Sequence, residues 1–299
     1  MSGIQTEFIE TNNLTFEVNT CGTGDRLALC LHGFPECAYS WRLQMPMLAD
    51  LGYRVWAPNL RGYGKTTRPI NVADYKITHL VHDVADLVDA AQAKSVVLIA
   101  HDWGGAIAWF FAIRQLRPLQ GLIVLNIPHP AIFIEMMKRP PQLLRSWYIF
   151  FFQIPWLPEW LLGLQNARGI GDAFRNMAVD KGRFPEEVLE VFRDNARQPG
   201  ALTAMLNYYR AFLRYRPSVR QRRQLEEPID TPTLMIWGEH DTALGKELTY
   251  GTEKYVKDFT LHYLPNVSHW VQQEAPERVN ELIAEWLSRF QSSALREQA

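Results

Sequence analysis

The chain has 299 residues, 47% hydrophobic and 21% charged, enough apolar material for a sizeable core and too much for a disordered polypeptide. A formal net charge of -1 gives nucleic acid no footing, and the four arginines from Arg216 to Arg223 read as a solvated face. Three cysteines, Cys21, Cys30 and Cys37, fit neither a disulfide framework nor a zinc spacing, so no metal is expected and a reducing, cytoplasmic setting is.

The N-terminus lacks a basic start followed by an apolar stretch, so no signal peptide is expected. Arg26-Leu-Ala-Leu-Cys-Leu31 reads as a buried strand and Tyr53-Arg-Val-Trp-Ala57 as the next. Thr78 reads as a helix N-cap, with Leu80, Val81, Val84, Leu87 and Val88 following at helical spacing. The β-branched run Ser95-Val-Val-Leu-Ile-Ala100 predicts a central strand. Gly104 to Ile113 is apolar nearly all round, which predicts a buried helix, and Leu122-Ile-Val-Leu125 a further strand. From about Ile132 to Glu227 the segments are helical and rich in aromatics and arginine. The most apolar stretch there, Ile149 to Leu164, holds Gln153, Pro155, Pro158 and Glu159, so it suits pocket lining or an interface better than a membrane span. Strands resume at Pro232-Thr-Leu-Met-Ile-Trp237 and Phe259 to Tyr263. A last helix starts at Pro276 and reaches Phe290, and Gln291 to Ala299 reads as a frayed tail.

Strands alternating with helices imply an α/β fold with a mostly parallel sheet covered on both faces. Residues 1–131 and 228–299 are expected to form this core. Residues 132–227 are expected to form a helical insertion that sits over the strand ends as a lid, or cap.

Sites in such sheets lie at the carboxyl ends of strands. The strand ending at Ala100 passes straight into the buried helix through His101-Asp-Trp-Gly-Gly105, which is the strand–turn–helix context of a nucleophile elbow, with Asp102 where esterases carry serine. An Asp at a helix start is commonly only an N-cap. A carboxylate nucleophile has a chemical reason, however. Attack by serine on a saturated carbon gives an ether, which activated water does not cleave. Attack by carboxylate gives an ester, which water can open at the carbonyl carbon of Asp102.

Water needs a base, and the base needs an orienting acid. Of eight histidines, His269 sits in the polar loop Asn266-Val-Ser-His-Trp270 between the last strand and last helix. Asp241 follows the strand ending at Trp237 and is the chosen acid, with Glu239 as alternative. Asn126, after the Leu125 strand, cannot supply the charge. His101, His129, His240 and His262 are read as structural. After the first buried strand, His32, Gly33, Phe34 and Pro35 suggest a tight turn, with a cis proline. The backbone N–H groups of Phe34 and Trp103 are the candidate oxyanion donors.

These segments resemble the epoxide hydrolase branch of the α/β-hydrolase family. His32-Gly-Phe-Pro-Glu36, Arg61-Gly-Tyr-Gly64, His101-Asp-Trp-Gly-Gly105, Asn207-Tyr-Tyr-Arg210 and Ser268-His-Trp270 match that family's motifs in its order, over nearly the whole chain. The resemblance implies an α/β-hydrolase fold, hydrolysis of an epoxide to a vicinal diol, a covalent alkyl-aspartate intermediate and no cofactor; a homodimer is a separate expectation. It also implies two lid tyrosines that hold the epoxide oxygen, matched by Tyr209 and Tyr148, with Tyr208 as a rival to the first. The aromatic insertion suggests an apolar or aryl epoxide. Ala100 stands where the family usually has Gly, and Ile-Pro-Trp156 where relatives often show Glu-Pro-Gly. The rival readings are a haloalkane dehalogenase with the same Asp–His–Asp machinery and a non-catalytic binding member of the fold. A fluoroacetate-type dehalogenase would need arginines where Trp103 and Ile107 stand.

Overall fold

The structure, a computed structural model, describes residues 3–11, 14–215 and 218–296. Eight strands form one sheet: β1 (Gln5–Glu10), β2 (Thr15–Cys21), β3 (Arg26–Leu31), β4 (Arg54–Pro58), β5 (Ser95–His101), β6 (Gly121–Leu125), β7 (Thr233–Gly238) and β8 (Phe259–Leu264). Their spatial order is β1-β2-β4-β3-β5-β6-β7-β8. β1 pairs β2, and β2 pairs β4, antiparallel; every later pairing is parallel. The first two strands went unread in the sequence. β1 is polar and mostly exposed, as an edge strand is, whereas β2 carries the period-2 signal, with Phe16 and Val18 buried between outward Thr15, Glu17 and Asn19.

Twelve helices accompany the sheet among the described residues. Those of the core are α1 (Met45–Asp50), α2 (Ile77–Ala91), α3 (Asp102–Ile113), α11 (Val271–Glu274) and α12 (Pro276–Arg296). Between β6 and β7 come α4 (Pro130–Met136), α5 (Pro140–Arg145), α6 (Trp147–Phe151), α7 (Leu157–Met177), α8 (Glu186–Arg197), α9 (Ala201–Arg214) and α10 (Val219–Gln224). Helix α7 is broken by left-handed residues Gln165, Asn166 and Ala167. Thr78 is not an N-cap: α2 begins at Ile77, after the extended Lys76. The helix is set by its buried stripe and starts without a side-chain cap. The last helix runs to Arg296, so the expected frayed tail is helical that far, because the backbone ladder continues past Phe290. Residues 297–299, like Arg216 of the arginine run, lie outside the described residues.

The two sheet faces bury different residues, as the pleat demands. Leu27, Leu29, Leu98, Leu122 and Val124 face α2 and α3. Ala28, Cys30, Val97, Ile99, Ile123 and Leu125 face α1 and α12 through Met45, Leu48, Val279 and Ile283. The central strands are therefore apolar on both sides and read as continuous hydrophobic runs. Helices α7, α8 and α9 pack on one another, and α9 rests on the turn at Val72–Tyr75. Arg68 ties this group to the core by donating to the carbonyls of Gly62, Gly64 and Pro199.

Candidate active site

β5 ends at His101 and α3 starts at Asp102 with no intervening loop. Asp102 has φ +48°, a left-handed backbone that costs a non-glycine residue free energy and that the surrounding packing must hold. The packing leaves no room for ordinary side chains. A Cβ on Gly104 would stand 2.3 Å from the Leu31 carbonyl oxygen, and one on Gly33 would stand 2.4 Å from the Asp102 Cβ. The turn after β3 thus presses against the elbow, and the Phe34 N–H donates to Asp102 Oδ1 at 2.8 Å. The Phe34–Pro35 bond is cis. The Trp103 N–H belongs to the first turn of α3, where N–H groups have no partner within the helix.

His269 follows β8. Its Nε2 lies 3.6 Å from Asp102 Oδ2 and its Nδ1 meets Asp241 Oδ2 at 2.6 Å. Asp241 is fixed in turn: its Oδ1 accepts from the Ala243 and Leu244 N–H groups, each at 2.8 Å, and its Oδ2 from Asn126 Nδ2 at 2.7 Å. Glu239, the alternative acid, is ion-paired to Lys246 instead. Burial works against charge on the His269 ring, but Asp241 and Asp102 on either side outweigh it and lift its pKa to about 10. Burial likewise pushes both carboxyls up, and the cationic ring outweighs it, so each lies below the usual carboxylate range.

Three residues around this trio had no role read from the sequence beyond structure. Glu36 is buried beneath the turn. Its Oε2 accepts from the Gly33 N–H at 2.9 Å and from His101 Nδ1 at 2.7 Å, and its Oε1 from Gln272 and Gln273, each at 2.9 Å. His101 Nε2 lies 2.9 Å from the His269 carbonyl oxygen. One carboxylate therefore links the turn, the elbow and the histidine loop. Asn126, with φ +41°, bridges Asp241 and the Gly238 N–H. The signal for Glu36 was a carboxylate set directly behind a buried strand. His32, by contrast, braces the turn: its Nδ1 donates to the Gly33 carbonyl and its Nε2 accepts from the Leu60 N–H, while burial lowers its pKa to about 4. His129 caps α4 and stacks on Tyr255; His240 is exposed.

Above Asp102 lies a cavity of about 510 Å³, lined largely by apolar groups and shared by Trp103, Tyr148, Tyr208 and Tyr209. The Tyr209 ring stands edge-on to Phe34 and Trp103, with centroids 5.2 and 5.1 Å away, and to Tyr148 at 5.9 Å. Burial, and then the Asp102 charge, push both phenols well up, so both are neutral donors. Tyr208 already donates its hydroxyl to the Arg61 carbonyl at 2.8 Å. The two tyrosines are placed by the kinked α6–α7 corner: Gln153 donates to the Tyr209 carbonyl, and Arg210 donates to the carbonyls of Phe152 and Ile154 and pairs with Glu159 at 2.6 Å. Among the described residues no group of three His, Cys, Asp or Glu is placed to hold a metal ion.

A family model for the alpha/beta hydrolase fold matches residues 29–276. Human epoxide hydrolase 4 is 40% identical over 282 residues, which cover 92% of this chain and 76% of that protein. Epoxide hydrolase 3 of Xenopus tropicalis is 39% identical, covering 89% and 73%. The crystal structure of the Bacillus megaterium epoxide hydrolase with an inhibitor superposes with a TM-score of 0.85 at 29% identity, covering 94% of this chain and 100% of that one. Fold, motif order and similarity over most of the chain agree, and the chain belongs to the epoxide hydrolases of the α/β-hydrolase fold family.

Proposed function

We propose that this protein hydrolyses epoxides to vicinal diols through an ester on Asp102, beneath helices that act as a cap over residues 132–227. The observation that carries the reading is the meeting of Asp102, His269 and two neutral tyrosines around one apolar cavity. Oδ1 is held by the Phe34 N–H, which leaves Oδ2 to attack the epoxide carbon. As the carbon–oxygen bond breaks, Tyr209 and Tyr148 hold the oxygen and one of them protonates it. The new ester has no charge, so one of the two carboxylates that kept His269 protonated is gone. His269 then gives its proton to the phenolate and becomes a neutral base. It deprotonates water, the hydroxide adds to the Asp102 carbonyl carbon, and the oxyanion forms where Phe34 and Trp103 offer N–H groups. Each such donor typically lowers the barrier by roughly 3 kcal/mol. Collapse passes the hydroxyl proton of the adduct to the departing oxygen and restores the Asp102 carboxylate and the His269 imidazolium.

A dehalogenase would use indole or amide donors and has no work for two phenols at the leaving group. The apolar cavity supports an apolar or aryl epoxide. Three buried cysteines without a disulfide support a reducing, cytoplasmic setting. A homodimer is part of the reading, supported by the exposed Trp147, Trp156 and Trp160 beside the cavity corner. Light scattering tests it. Among the described residues no helix is long and apolar enough to cross a membrane.

The test of the chemistry is His269→Gln mixed with styrene oxide. Mass spectrometry should find the protein heavier by one epoxide, with the addition on Asp102. Continued diol formation by an unmodified protein would refute the scheme.

A further inference from the structure

The loop that carries His269 is followed by the short helix α11, whose residues Gln272, Gln273 and Glu274 are all buried. Gln272 and Gln273 donate to Glu36 and so belong to the elbow network described above. Glu274 has different partners. Its Oε2 accepts from the Ser268 N–H at 3.3 Å and from the Ser268 hydroxyl. Its Oε1 accepts from the N–H groups of Val179 and Asp180, each at 3.0 Å. Ser268 is the residue before His269, whereas Val179 and Asp180 follow the end of α7 in the helical insertion.

Glu274 is 4% exposed, and no cation pairs with it among the described residues. A carboxylate buried without a counter-charge is costly, and here only hydrogen bonds offset the cost. Each of its two oxygens serves a different segment, one the histidine loop and the other the insertion. A glutamine would fill the same space, but its amide nitrogen accepts nothing, so one pair of donors would go unmet. The same two segments also meet through rings. Trp270, next after His269, packs on the His269 ring and on Phe174 of α7, with centroids 4.8 and 4.4 Å away. Phe174 in turn stacks on Phe192 of α8 at 4.3 Å. Phe174, Val179 and Asp180 all come after the break in α7 at Gln165–Ala167, whereas the corner that places the tyrosines comes before it.

We infer that Glu274 is a positioning residue for ester hydrolysis: it ties Ser268 to the end of α7, so that the insertion holds His269 in line with the water that attacks the Asp102 ester. This rests on the ester reading above. A general base works only within hydrogen-bond reach of its water, and His269 Nε2 stands 3.6 Å from Asp102 Oδ2, so a small shift of the loop takes the base out of line. Epoxide opening asks less of the loop, because its reacting groups are Asp102 and the two tyrosines. The insertion therefore serves both half-reactions with different parts: the corner before the break in α7 places the oxygen donors, and the segment after it steadies the base.

The experiment follows single turnovers of styrene oxide, with alkylation read by tryptophan fluorescence and ester hydrolysis by the decay of the mass-shifted protein after rapid quenching. Glu274→Gln should slow hydrolysis by about 10- to 100-fold, the scale on which a small misplacement of a reacting group acts. Alkylation should slow far less, so that modified protein accumulates at steady state. Val179→Pro reaches the same link from the insertion and decides the matter if Glu274→Gln does not fold. Val179 is 45% exposed, and Ala178 before it has ψ +135°, a backbone that suits the residue preceding a proline, so the change removes one N–H and little else. It should shift the ratio of the two rates in the same direction, as should Ser268→Ala. Both act through one carboxylate, so Val179→Pro combined with Ser268→Ala should slow hydrolysis by less than the product of the single effects. Equal slowing of both half-reactions, or lower thermal stability with the ratio of rates unchanged, overturns the proposal and leaves the ester on Asp102 standing. A folded protein in which no variant carries the ester, His269→Gln included, overturns the reading beneath it.

Discussion

At the scale of single residues the site depends on one histidine held between two carboxylates. Asp241 touches Nδ1 at 2.6 Å and is itself locked by two backbone N–H groups and Asn126. Asp241→Asn keeps the shape but removes the charge that orients and supports the imidazolium. The expected loss in kcat is about 10⁴-fold, by analogy with the same change in a serine-protease triad. Single-turnover kinetics should place that loss in ester hydrolysis, with alkylation of Asp102 slowed far less; equal slowing of both steps would count against the assigned role. Tyr209→Phe and Tyr148→Phe should act on the other half-reaction. Each removes one donor to the departing oxygen, so alkylation should slow by about 10²-fold or more, and the double variant should be slower still. Stopped-flow fluorescence of the many tryptophans follows that step.

At the scale of elements, the reach of Tyr148 and Tyr209 into the cavity depends on the corner between α6 and α7. Arg210 holds that corner by donating to two carbonyls and pairing with Glu159, while its neighbour Tyr209 faces Asp102's cavity. Arg210→Met leaves Glu159 without its cation and two carbonyls without a donor. Thermal unfolding should show a loss of about 2–3 kcal/mol, discounted because the Glu159 side chain is partly exposed, and KM should rise more than kcat falls. Arg210→Lys should not restore it, since an ammonium lacks the planar fork that serves a carboxylate and two carbonyls at once. A lysine variant as stable as the parent would show that charge alone suffices. The elbow is the counterpart in the core. The short path from β5 to α3 is set by Gly104 against the β3 backbone, so the position of Asp102 is built by close packing and does not rest on a flexible loop.

For the whole molecule, histidines set how stability varies with pH. His32 and His129 are buried and held neutral, with pKa values lowered to about 4 and about 3. The unfolded chain binds their protons first, so stability falls as pH drops below the ordinary value of 6.5. His269 has the opposite sign. Its pKa is raised to about 10, so its contribution is complete below 6.5 and is lost as pH rises toward 10. The two effects predict a stability maximum near 6.5. Calorimetry across pH should show it, and His269→Gln should flatten the alkaline side while leaving the acid side sloping. Stability that climbs steadily from pH 6.5 to 9 in the parent protein would contradict this account.

Much of the protein was readable in one dimension because its signals are local. The apolar runs of β3, β5 and β6, the direct passage from β5 into α3, and the interruption between β6 and β7 are properties of neighbouring residues, and strand–helix alternation leaves few ways to arrange them. The same locality explains why β1 was missed: an edge strand with polar faces has no hydrophobic pattern to read. It also explains Thr78, whose cap chemistry lost to the buried stripe of α2. What only the tertiary structure decided involves pairs far apart in the chain. The proposed reading takes Asp241 over Glu239 because Asp241 is the carboxylate that meets Nδ1. The proposed reading sets Tyr208 aside as oxygen donor because its hydroxyl is bonded to the Arg61 carbonyl, which no spacing reveals. The bonds of Glu36 to the elbow and the histidine loop depend on through-space electrostatics and packing. Those forces act between residues 65 and 236 positions apart, and only the folded chain brings such residues within reach.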